Sequence, residues 1–320
     1  MNETQKYIID QLESLREKST DRDKSLEEFL FKTVMSKKFR KYSVNPEYQN
    51  HIRSAIELNV KNKEPIKVTL VFGGYKLWRF EEAPEPDWAE LFSMIYYAHW
   101  LKPIADHYKP GVWFDFYSDD VIVQYIDNIP EEDTRQYGKV FQELLDFLKK
   151  YIPNNFKMTF HRVGDQYKSE EDFLADVESQ KKKLLEKYGG KIPHLSEEQK
   201  ETLNLNVRLT PEQEKNKRWQ EEVQLLHDAY ILVEKRRPYY RTPDKIVAIT
   251  KKIDNTIAVG TTKTSIAKFW AGVGALKKTE SGLIETILSP SQLSSVNPKW
   301  ETIEIKGLEG KNFKQIRVVY

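Results

Sequence analysis

IKVTLVFGGYKLWRFEEAPEPDWAE, residues 66–90, holds the pattern that decides the fold. Ile66 to Phe72 is a β-branched apolar run stopped by Gly73 and Gly74, which predicts a buried strand ending in a loop. Pro84 and Pro86 punctuate the chain. Asp87 then opens a helix whose Trp88, Leu91, Phe92 and Ile95 recur at helical spacing, running to about Ala105. Downstream, Lys109-Pro110-Gly111 marks a turn. Val112 to Tyr117 and Val121 to Ile126 read as two extended runs separated by Ser118-Asp119-Asp120. Pro130 starts a further helix with Tyr137, Val140, Phe141, Leu144, Leu148 and Tyr151 as its buried stripe, and FKMTFHRV, 156–163, follows as a strand. Strands alternating with helices predict an α/β protein with a Rossmann-like, mainly parallel sheet and flanking helices.

Working outward, four regions emerge. Residues 1–60 read as an N-terminal helical layer, with apolar positions at helical spacing in 3–18 and 24–35; 61–167 form the α/β core. Residues 168–240 read as a charged helical insertion or subdomain, with KKKLLEK at 181–187 as a solvated face and Trp219, Val223, Leu226, Tyr230 and Val233 as a buried stripe. Residues 241–320 return to strands, at 245–250, 257–260, 283–288, 302–305 and 316–319, as a β-rich part completing the core.

Composition narrows the function. Among 320 residues, 51 Lys and Arg face 49 Asp and Glu, so no overall field recruits nucleic acid. Arg236, Arg237, Tyr239, Tyr240 and Arg241 interleave basic and aromatic groups, but no nucleic-acid-binding fold accompanies them, and nucleic acid is not an expected partner. The absence of cysteine excludes disulfides, thiolate zinc sites, iron-sulfur clusters and a cysteine nucleophile. Six scattered histidines without an HExxH pairing predict no metal, and no cofactor fingerprint is present. MNETQKYIIDQLESLREK, at the start, lacks the apolar run of a signal peptide or membrane span, so the expectation is a cytoplasmic protein without membrane attachment.

Chemistry concentrates at the predicted strand ends. Lys76 and Arg79 beside the Gly-Gly turn suit a phosphate or carboxylate, with Lys76 expected on the loop edge of the sheet; the structural alternative is a tight turn with snorkelling cations. Asp115, Ser118, Asp119 and Asp120 surround the next turn, where carboxylates can anchor an amine or act as general bases, or can simply satisfy local backbone. His161 and Arg162, at the end of a strand, are expected at the same edge, His161 for proton transfer and Arg162 for binding.

Lys76 at a strand end, Pro86-Asp87-x-Ala89-Glu90 at a helix start, the Ser118-Asp119 turn and Tyr137 in the next helix together resemble the isocyanide synthase family, which includes the pyoverdine and dityrosine biosynthesis proteins. The resemblance covers residues 66–150. In the C-terminal half, where the family pattern has histidine-bearing strands and a Pro-Trp-His element, this chain has KIVAITKK (245–252) and KFWAGVG (268–274). Membership implies a Rossmann-like fold and conversion of an amino acid's amine to an isonitrile, with the sugar phosphate ribulose 5-phosphate as carbon donor. On that reading Lys76, Asp119 and His161 are the catalytic candidates, and Arg79, Asp87, Ser118 and Arg162 bind substrate. The rival is a non-catalytic binding or scaffold protein that uses the 168–237 helices and exposed aromatics.

Overall fold

The computed structural model describes residues 1–19, 25–73, 76, 78–234, 242–260 and 266–320. Strands β1 (Ile66–Phe72), β2 (Val112–Ser118), β3 (Phe156–Arg162), β4 (Lys245–Ile249) and β5 (Ile257–Ala258) form a five-stranded sheet in the order β3-β2-β1-β4-β5. All its pairings are parallel. Parallel neighbours need crossovers. Helices α4 (Trp88–His107) and α6 (Glu131–Leu148) supply them between β1, β2 and β3. The chain steps outward from β1 to β3 and then returns to the other side of β1 as β4, so the order reverses between β1 and β4. At such a switch point a crevice opens beyond the strand ends.

Strand alternation sorts side chains onto two faces. Val68, Leu70, Phe72, Phe114, Phe116, Met158, Ile246 and Ala248 enter the main apolar core, shared with α1 (Glu3–Ser14), α2 (Leu26–Val34), α3 (Pro46–Asn62), α4 and α6. Val71, Tyr117 and Val247 point the other way, into a second cluster with Phe173 and Val177 of α7 (Glu170–Lys187) and Val223 and Tyr230 of α10 (Trp219–Glu234). Nearer the strand starts that face turns polar. Lys157, Trp113, Lys67 and Lys245 stand side by side across four strands.

A second, four-stranded sheet has the order β7-β6-β9-β8, with β6 (Val273–Thr279), β7 (Gly282–Leu288), β8 (Lys299–Thr302) and β9 (Gln315–Val319). It docks on the start of α4. A Cβ at Gly274 would lie 2.3 Å from the Ala89 nitrogen, so only glycine admits this approach. The Trp88 Nε1–H donates to the Gln315 carbonyl at 2.7 Å across the same contact.

Several elements differ from the sequence expectation. Val121 to Ile126 is not a strand: Asp120–Tyr125 is a short helix, α5, with Val121 and Val123 buried. Short apolar runs do not distinguish strand from buried helix, and the crossover from β2 demanded a turn away from the sheet. Helix α3 adds a third long element to the N-terminal layer, started by the Asn45 side chain accepting from the Tyr48 N–H at 2.7 Å with Pro46 in its first turn. KFWAGVG becomes a 3₁₀ turn, Phe269–Ala271, leading into β6. The strand expected at 302–305 is Lys299–Thr302 instead, set by its pairing with β9, while Ile303 and Ile305 fill the core beyond it. The charged region after β3 contains α7, α8 (Glu197–Asn206), α9 (Pro211–Lys215) and α10. The basic and aromatic run at 236–241 lies outside the described residues.

Candidate active site at the strand ends

The loop after β1 delivers Lys76 to the first turn of α4. Asp87 caps that helix: its Oδ1 accepts from the Ala89 N–H at 2.8 Å, and its own N–H donates to Glu90 Oε2 at 2.7 Å, a reciprocal capping box. Capping boxes usually face water; this one is sealed. The Lys76 ammonium donates to Asp87 Oδ1 and to the Gly272 carbonyl, both at 2.8 Å, and lies 3.2 Å from Glu90 Oε2, with all three side chains essentially inaccessible. Tyr137 donates its hydroxyl to Glu90 Oε1 at 3.1 Å, and the Gly274 N–H donates to Asp87 Oδ2 at 3.1 Å. Lys76 therefore points inward, away from the loop edge where it was expected.

Charge in this cluster is tightly matched. Burial opposes the Lys76 charge, but the Asp87 and Glu90 carboxyls hold its proton affinity above the usual lysine value. Burial drives Glu90 well above the ordinary carboxylate range, with Lys76 opposing and Asp87 adding to the rise.

A second group forms at the end of β2. Ser118 stands in register between Phe72 and Arg162, and its buried Oγ has no hydrogen-bond partner among the described residues. The Asp119 N–H donates to the Phe72 carbonyl at 2.9 Å, and its carboxyl lies over Gly73, 3.7 Å from where a Cβ would stand. Tyr230 of α10 donates its hydroxyl to Asp119 Oδ1 at 2.8 Å. Burial raises the Asp119 pKa to about 7, against the pull of that hydrogen bond. Among the described residues no ion pair holds this carboxyl. Asp120, by contrast, meets Arg162 Nη2 at 2.7 Å and accepts from the Gly164 N–H at 2.8 Å, which ties the ends of β2 and β3 together.

His161 and Arg162 are consecutive on β3 and so emerge on opposite faces. His161 Nδ1 meets Asp115 Oδ1 at 2.5 Å, and Asp115 also accepts from Thr159 Oγ1 at 2.6 Å. The hydrogen bond to Asp115 raises the His161 pKa, with partial burial opposing it. Arg79 reaches toward α8, where Nη1 lies 3.4 Å from the Asn204 carbonyl; its buried Nε and Nη2 find no partner among the described residues. Burial accordingly lowers its pKa. Of the sequence candidates, Lys76 and Asp87 are brought together, Asp119 and Ser118 are neighbours one strand away, and Arg79 and His161 stand apart from both.

No known family matches the sequence, and no curated protein matches it. The crystal structure of the PvcA protein from Pseudomonas aeruginosa is similar with a TM-score of 0.57 at 15% identity, over 92% of this chain and 100% of that one. The chain shares the PvcA fold. At that identity the likeness concerns architecture, which here extends beyond the parallel sheet to nearly the whole chain.

Sequence reasoning passed over two participants. Tyr230 was legible only as one member of an apolar stripe, although a buried tyrosine hydroxyl requires a partner and so signals a polar neighbour. Glu90 was legible as part of a helix start, but not as a buried carboxyl, because Tyr137, which donates to it, lies 47 residues later. Among the described residues no cluster of His, Cys, Asp and Glu is placed to hold a metal ion, and no helix is long and apolar enough to cross a membrane.

Proposed function

We propose that the chain is an isocyanide-synthase-like enzyme acting on an amino acid or related amine with a sugar phosphate as co-substrate. The observation that carries this reading is Asp119, a carboxyl with no ion-pair partner among the described residues, at the end of a parallel strand, set over a bare glycine and poised near neutrality. Such a group takes a proton from an ammonium or an adjacent carbon at physiological pH. Arg79, partly desolvated and with no carboxylate partner among the described residues, stands apart from Asp119 and is not assigned a role in this reading. Lys76, Asp87, Glu90 and Tyr137 frame the site, fixing the helix that starts beside it. The rival binding-protein reading draws on the exposed Leu174, Leu205 and Ile231 of the helices after β3, with Leu209 between α8 and α9.

The test is incubation of the purified chain with ribulose 5-phosphate and a panel of amino acids, with isonitrile trapped by a tetrazine and identified by mass. Product from wild type, reduced roughly 100-fold or more in Asp119→Asn, is the expected result. Turnover unaffected by that substitution removes Asp119 from the mechanism. Absence of product across the panel favours the binding-protein reading.

A further inference from the structure

We propose that His227, held by Asp127, is the proton-exchange partner of Asp119, taking up the charge that this carboxyl gives off. Helix α10 builds the arrangement. Val223, Tyr230 and Val233 are buried in the cluster shared with α7, the Tyr230 ring 5.8 Å from that of Phe173, so the apolar face of α10 fixes its rotation. His227 comes four residues after Val223 and three before Tyr230, on the same side of the helix. That side runs along α5. Asp119 immediately precedes α5 and Asp127 lies just past its end, and α10 reaches both: the Tyr230 hydroxyl donates to Asp119 Oδ1 at 2.8 Å, and His227 Nε2 lies 3.0 Å from Asp127 Oδ1.

Asp127 is firmly placed. Its N–H donates to the Ile122 carbonyl and its carbonyl accepts from the Arg208 N–H, both at 2.9 Å. The next residue, Asn128, donates its side-chain amide to the Arg208 carbonyl and to Gln213 Oε1, again at 2.9 Å. A carboxylate only accepts, so its bond to His227 keeps a proton on Nε2 and leaves Nδ1 as the atom that takes a second one. The Asp127 side chain is 8% exposed and that of His227 22%, so the carboxylate is enclosed while the imidazole still meets water.

Asp119 needs such a partner. Its Oδ1 is occupied by Tyr230 and its carboxyl lies over Gly73, so a substrate seated there covers the open side and a proton taken from it leaves on the side of α10. The titratable groups around this place are His227 and Tyr230 on α10, Asp127 beyond α5, and Asp120, which is paired with Arg162; Asp228, next to His227, accepts from Gln224. Positive charge on His227 favours the ionised form of Asp119, and negative charge on Asp120 opposes it. The step is a proton transfer: one proton leaves the Asp119 carboxyl, one is gained at His227 Nδ1, and the imidazolium returns one to water. The inference rests on the proposed function only in taking Asp119 as a base.

Carbon-13 NMR titration of the Asp119 carboxyl in the full chain, without substrate, tests the pairing. Its midpoint should rise by about 0.5 unit or more in His227→Gln, which removes the cation, and fall by a similar amount in His227→Lys, which makes it permanent, as expected of charges that interact within one site. Shifts of opposite sign do not follow from a merely structural role, and either variant alone decides the matter if the other folds poorly. In the isonitrile assay His227→Gln should lower kcat about 10-fold or more with KM unchanged, and free imidazole should restore part of the loss. An Asp119 midpoint that ignores both substitutions overturns the pairing, as does a His227→Gln variant with wild-type kcat. Opposite shifts at Asp119 with no isonitrile formed by wild type keep the pair and remove the proposed reaction.

Discussion

Two neighbouring strand ends hold buried carboxyl groups, and they are built to opposite specifications. After β1, Glu90 and Asp87 share the Lys76 ammonium, backbone donors and the Tyr137 hydroxyl in a closed set that joins α4 to the second sheet. After β2, Asp119 has one tyrosine hydroxyl, no ion pair among the described residues and a glycine beneath it. Burial raises the proton affinity of Glu90 and Asp119 alike. The difference is what each can do with its proton. A charge change at Glu90 would unbalance a cluster on which the packing of β6 depends, whereas Asp119 can gain or lose a proton at little cost to its surroundings. Compensated charge holds the fold, and uncompensated charge is available for chemistry.

The sharpest way to break this contrast is Lys76→Met. Removing the ammonium leaves two buried carboxyls facing each other, and the expected loss is about 3–5 kcal/mol of stability, the cost of breaking a buried ion pair on one side. Urea unfolding at pH 7 measures it. A loss below about 1 kcal/mol would mean that water reaches the cluster, and Lys76 would return as a ligand-binding residue.

Asp119→Asn should do the reverse, costing activity and not stability. The folded pKa of about 7 stands above the unfolded value of roughly 3.9, so the folded state holds more protons between those values and stability falls as pH rises from about 4 to 7. The asparagine variant lacks that decline and should gain on wild type when urea midpoints at pH 8 are compared with those at pH 5. Tyr230→Phe, which deletes the hydrogen bond that favours the carboxylate, should move the rising limb of the pH–activity curve upward by less than about one unit, as expected for a contact worth ~1 kcal/mol. Parallel pH-stability curves for wild type and Asp119→Asn would show that Asp119 is solvated and not poised.

The smallest effect is expected at His161. Its folded pKa is raised above the unfolded value, so its pairing with Asp115 stabilises fully below about pH 6.5 and is lost as pH rises through the folded pKa. Half the side chain is exposed, which limits the cost of His161→Ala to less than about 1 kcal/mol at pH 5.5 and to still less at pH 8.5. Equal costs at the two pH values would exclude a charged histidine. A tenfold or greater loss of activity would bring His161 back as a proton carrier.

The alternation of β-branched runs and helical stripes between 66 and 163 was enough to determine the first three parallel strands and both crossover helices, because each element carries its own periodicity within a short window. The Asp87 helix start was equally local, since a capping box is written in four consecutive residues. The short run at 121–126 was ambiguous by itself, and only the path from β2 to α6 made it a helix. The chemistry of the site was less legible still. Lys76 looked like a cation awaiting an anion until Gly272 and Gly274 brought the second sheet against it, and Asp119 gained its character from Tyr230, more than a hundred residues downstream. The physical reason is that helix and strand propensity are properties of neighbouring residues, whereas burial and charge compensation depend on which distant segments close over a group. Residue types and spacing thus determined the scaffold and the position of the polar groups along it, and tertiary packing alone decided which of those groups meet a counter-charge among the described residues and which do not.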